Sequence, residues 1–60
     1  MCIVEKMEQD LQFYTKKAEI LRDKCHKAYM ADDYDAYDAF FDVLAVVEDV
    51  RDALATALGV

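Results

Sequence analysis

The sequence has no proline, a single glycine at position 59, one histidine and two cysteines in 60 residues. Each shortage excludes something. Without Pro and with Gly59 only at the end, little punctuates the chain, and its richness in Ala, Leu, Lys and Glu predicts helix over most of its length. One glycine is too few for a phosphate-cradling loop. No apolar run approaches the length of a membrane span, and Met1-Cys2-Ile3-Val4 meets Glu5 and Lys6 too soon for a signal peptide. If Cys2 and Cys25 share one helix they lie roughly 35 Å apart, too far for a bridge. Free thiols fit a reducing cytosol, so a cytoplasmic location is expected.

Apolar residues are plentiful at 57%, which sets the chain apart from disordered segments and marks it as built to pack. The net charge of −6 is unevenly placed. Residues 1–30 hold six basic and five acidic side chains (+1), whereas residues 31–60 hold Arg51 against eight acids (−7). Two chemically different surfaces are expected.

Val4, Met7, Leu11, Tyr14, Ala18, Leu21, Cys25 and Ala28 recur in steps of three and four, the seam of a helix packed at a shallow angle. Carried onward, that register would bury Asp32, Asp35, Asp42 and Asp49. A second register avoids this, through Ala36, Phe40, Val43, Val47, Val50, Leu54 and Ala57, widened by Tyr37, Ala39, Leu44, Val46 and Leu58. The phase therefore jumps at residues 29–33. A hairpin with helices at about 3–29 and 34–58 and a turn at 30–33 explains the jump. One long helix with a stutter is the rival. In the hairpin, Asp32 or Asp33 caps the second helix, with Asp35 completing a capping box from Asp32. Gly59 closes it.

The expected fold is thus an all-α helix–turn–helix hairpin in one domain, 1–60. A lone pair of helices covers only the strip where they touch. Two hairpins stacked as an antiparallel four-helix bundle would share a core of Leu11, Tyr14, Ala18, Leu21, Phe40, Val43, Val47, Val50 and Leu54, so a homodimer is expected.

Two outer surfaces are candidates for function. The second helix carries Asp35, Asp38, Asp42 and Asp49 with Tyr34 and Phe41 off the seam, a strip suited to a basic protein partner with the aromatics as anchors. The first helix collects all five lysines on its outer positions, beside Gln9, Phe13 and Ile20. Lysines interleaved with an aromatic fit phosphate contact plus base stacking. In length, heptad phase and turn position the plan resembles the Rop family of plasmid copy-number regulators, dimeric helical hairpins that grip paired RNA loops. That resemblance implies RNA contact through Gln9, Phe13, Lys17 and Lys24, with Lys16 beside them. Cys2 and Glu5 depart from it, standing where that family has lysines. A solvated bundle face, with Phe13 and Ile20 covered by lysine stems, accounts for the same residues without a ligand.

Catalytic chemistry finds no purchase in the sequence. Asp23 and His26 are spaced like bundle metal ligands but lie off the seam and lack inward-pointing glutamates. Cys25 and His26, being successive helical residues, point in different directions. No metal, cofactor, small-molecule substrate or catalytic residue is expected. A non-enzymatic regulator or adaptor is the preferred reading, with an RNA binder or a purely structural assembly module behind it.

Overall fold

The computed structural model describes residues 2–60 and contains two helices, α1 (Ile3–Met30) and α2 (Tyr34–Leu58). They fold back on each other into a rod 45 Å long and 16 × 14 Å across. The hairpin, and not a stuttered single helix, resolves the phase jump.

The reversal is built from backbone hydrogen bonds that close α1. Asp33 N–H donates to the Ala28 carbonyl (2.9 Å) and Asp32 N–H to that of Tyr29 (3.1 Å), the paired closure of a Schellman motif. Such a closure needs one left-handed residue. Asp32 takes that role at φ 57°, the one non-glycine residue with positive φ among the described residues. Aspartate tolerates this region better than most side chains because it bonds locally. Here its Oδ1 accepts from the Tyr34 hydroxyl at 3.2 Å.

With Asp32 committed to the turn, the cap of α2 falls to Asp33, whose Oδ1 accepts from Ala36 N–H at 3.2 Å. The box expected between Asp32 and Asp35 does not form, since Ala36 occupies the reciprocating position. Asp35 still lies in the first turn of α2, where the helix dipole favours an acid. At the far end Gly59 adopts φ 77° and the same paired closure recurs, with Val60 N–H bonded to Ala55 and Gly59 N–H to Thr56.

The α1 seam follows the expected heptad from Met7 to Ala28, with Ala18, Leu21, Cys25 and Ala28 buried. Val4 departs from it and is 45% exposed. Pairing backward from the turn sets Val4 level with Val60, so α2 stops short of it.

The α2 seam sits further round the helix than its expected centre. Leu44 and Val47 are buried, Tyr37 and Phe40 pack against the core, and Leu54 and Leu58 are half-buried. These residues with Arg51 form a heptad at 37, 40, 44, 47, 51, 54 and 58. Arg51 is admitted because its guanidinium reaches out to Asp52 (3.0 Å) and Glu48 (3.6 Å) while its stem covers apolar surface. Val43 and Val50, expected in the core that two hairpins share, lie outside the seam with α1 and are 51% and 37% exposed in the single chain. Every buried residue is small or aliphatic, and no large side chain among those described is fully buried.

Candidate interaction surfaces

At the turn end an aromatic cluster spans both helices. The Tyr29 ring, from the last turn of α1, lies 6.1 Å from Tyr34 and 5.9 Å from Tyr37, and Tyr37 stacks on Phe41 at 6.0 Å and 24°. The local cause is spacing. Tyr34, Tyr37 and Phe41 occur at steps of three and four on α2, so they share one side of the helix. Edge-on and offset contacts at these separations fix the rings against one another. Yet Tyr29, Tyr34 and Phe41 remain 55%, 55% and 52% exposed. Packing of the hairpin end therefore explains only part of the cluster. Asp32, Asp33 and Asp38, all exposed, ring it.

The six residues read as one acidic strip lie in two adjoining rows on one side of α2. Tyr34 and Phe41 belong to the aromatic cluster, with Asp38 between them, three residues from Phe41 and four from Tyr34. Asp35, Asp42 and Asp49 recur every seven residues and form an adjoining row, with Asp38 three residues from Asp35 and four from Asp42. The sequence places Tyr29 near the turn with Tyr34 and Tyr37, as packing of the bundle end, and outside the acidic strip. Tyr29 belongs to the first helix, and only the closure at Asp32 brings it onto the aromatics of the second.

Beside that acidic row runs an apolar stripe. Ala36, Ala39, Val43, Val46, Val50, Ala53 and Ala57 follow a second heptad parallel to the α2 seam. All but half-buried Ala36 are exposed, Val46 at 63%. Thus α2 bears two apolar seams, one filled by α1 and one open.

On α1 the residues expected to meet RNA, namely Gln9, Phe13, Lys16, Lys17 and Lys24, are all exposed. Phe13 is 58% exposed, with Tyr14 against its edge at 5.2 Å and 84°. Lys24 Nζ sits over the Phe40 ring, 5.6 Å from its centroid, at one margin of the interhelical seam. The other margin carries Arg22, whose Nη2 lies 2.8 Å from Glu48 Oε2. Lys27 pairs with Asp23 at 3.0 Å within α1. Lys16 also borders an open groove lined by Leu11, Gln12, Thr15 and Glu19.

Cys2 is exposed and Cys25 buried, both as free thiols. Among the described residues, no three His, Cys, Asp or Glu side chains gather where a metal could bind, and no helix is long and apolar enough to cross a membrane. No protein-family model, curated protein or solved structure matches the chain.

Proposed function

We propose that this protein is a non-enzymatic regulator or adaptor that captures a basic protein partner at the turn end of its hairpin. The observation that carries this reading is the half-exposed cluster of Tyr29, Tyr34 and Phe41 among Asp32, Asp33 and Asp38. Aromatic faces attract cations and carboxylates neutralise them, so the combination suits Lys and Arg side chains on a partner. Rings already held by their neighbours lose little entropy on binding, which favours them as anchors. The surplus of seven negative charges in residues 31–60 steers basic surfaces toward this end and repels phosphates. The active form in this reading is a homodimeric four-helix bundle, working in the cytoplasm with its two thiols reduced.

The test is affinity capture from a lysate of the native cell with native protein, the Tyr34→Ala/Phe41→Ala variant and Asp38→Lys. Native protein should retain a basic partner after nuclease treatment, and both variants should lose it. Capture that nuclease abolishes would transfer the function to RNA and the lysine face of α1 around Phe13. Equal capture by all three proteins would remove the turn end from consideration.

A further inference from the structure

The open seam of α2 has a geometry that identifies its occupant. We infer that it packs against the same seam of a second copy, with the two hairpins parallel and their turns at the same end. This rests on the chain pairing with itself, as proposed above, and adds the surface and the orientation.

The stripe of Ala36, Ala39, Val43, Val46, Val50, Ala53 and Ala57 repeats in threes and fours along the whole of α2, the pattern of a helix–helix contact. Its side chains are all Ala or Val, so two such helices can approach closely. A 25-residue helix is about 36 Å long and about 10 Å across, so α2 alone offers ~360 Å². A stable interface takes ~800 Å² from each partner. The adjoining helix must therefore contribute, and charge decides how.

One flank of the stripe is the row Asp35, Asp42 and Asp49. The other leads across the seam to α1, where Lys17 and Lys24 stand with Ile20, 44% exposed, between them. A two-fold axis parallel to the helices places the acidic flank of each copy beside the partner's α1. An axis perpendicular to them, with turns at opposite ends, would put the acidic rows of both copies along one edge and leave the lysines facing each other. The first arrangement opposes unlike charges; the second gathers like ones, which is destabilising.

The heights agree as well. Counting back from the turn between Met30 and Tyr34 sets Lys24 level with Phe40, which it contacts, and seven residues along, Lys17 falls level with Val47. Asp42 and Asp49 each lie two residues beyond those partners. A parallel axis preserves height, so Lys24 of the second copy comes within about 3 Å of the level of Asp42, and its Lys17 of that of Asp49, an offset the lysine stems span. The aromatic clusters of both copies then lie at one end of the bundle, giving a bivalent capture surface.

Ala39→Cys and Ala53→Cys, each made in a Cys2→Ser background, test the orientation. In the parallel dimer each position faces its own counterpart, so both single variants should form disulfide-linked dimers under mild oxidation. A dimer that links only when the two variants are mixed, or not at all, overturns the orientation. A monomer in sedimentation equilibrium at micromolar concentration overturns self-pairing altogether. Charge reversal supplies the second arm. Asp42→Lys/Asp49→Lys should weaken dimerisation about tenfold or more, and adding Lys17→Asp/Lys24→Asp should restore it. Failure of that rescue, with helicity retained, would also refute the contact.

Discussion

Replacing Asp32 with glycine should stabilise the hairpin relative to replacing it with alanine, and the size of the gap follows from one torsion angle. Asp32 sits at φ 57°, where a β-carbon crowds the following carbonyl at a cost of about 1–2 kcal/mol. Both substitutions delete the exposed 3.2 Å bond from the Tyr34 hydroxyl, and both remove one of the clustered negative charges. Those effects cancel in the comparison. What remains is the relief of strain in glycine, offset by about 0.5–1 kcal/mol for its greater freedom when unfolded. A net gap of ~1 kcal/mol is expected, or roughly 4–8 °C in midpoint for a domain of this size. Native Asp32 should fall between the two, because its local bonding lowers the cost. Thermal melts of the three proteins by circular dichroism at one fixed concentration measure the order. An alanine variant as stable as the glycine variant would refute the turn geometry.

Leu44→Ala should cost about 2–5 kcal/mol, enough to abolish cooperative unfolding in a hairpin with so few buried residues; an unchanged melting curve would show that Leu44 is not in the seam. The melting midpoint of the native protein should rise with protein concentration, since a partner copy bound only to the folded state stabilises it by mass action. A midpoint independent of concentration across a hundred-fold dilution series would deny any stabilising dimer.

Helices, turn and α1 seam were legible because periodicity and shortage of breakers report directly on local structure. The four aspartates at 32, 35, 42 and 49 forbade one continuous register, and the structure turns where they require. The centre of the α2 seam was not legible. That helix is apolar across a wide arc, so a stripe through Val43 and Val50 and one through Leu44 and Leu58 both fit the spacing. The choice fell to the larger side chains, which fill the gap against Ala18, Leu21 and Cys25, while the valines were left outside. Arg51 could not be assigned to a seam from its type alone; its ion pairs with Glu48 and Asp52 make the position tolerable. The aromatic cluster was half legible. Tyr34 and Phe41 were recognisable as off-seam anchors and Tyr29 as a turn-end tyrosine, but that Tyr29 packs on those anchors follows from the fold.

The two apolar seams of α2 also account for the charge division between the halves. In the proposed dimer α2 touches neighbours on two sides and has only its outer arc left for solubilising groups, and it fills much of that arc with acids. Helix α1 meets the second copy only along one margin of its outer face, so it has a wider free surface and keeps both signs on it. If the lysines of α1 served only to solubilise, their height along the rod would be arbitrary. Instead Lys17 and Lys24 share the seven-residue step of Asp42 and Asp49 and lie at matching levels across the hairpin. Within one copy the filled seam and the open stripe separate these rows, so the match has no intramolecular use. The proposed dimer gives it one, by bringing the α1 of a second chain alongside.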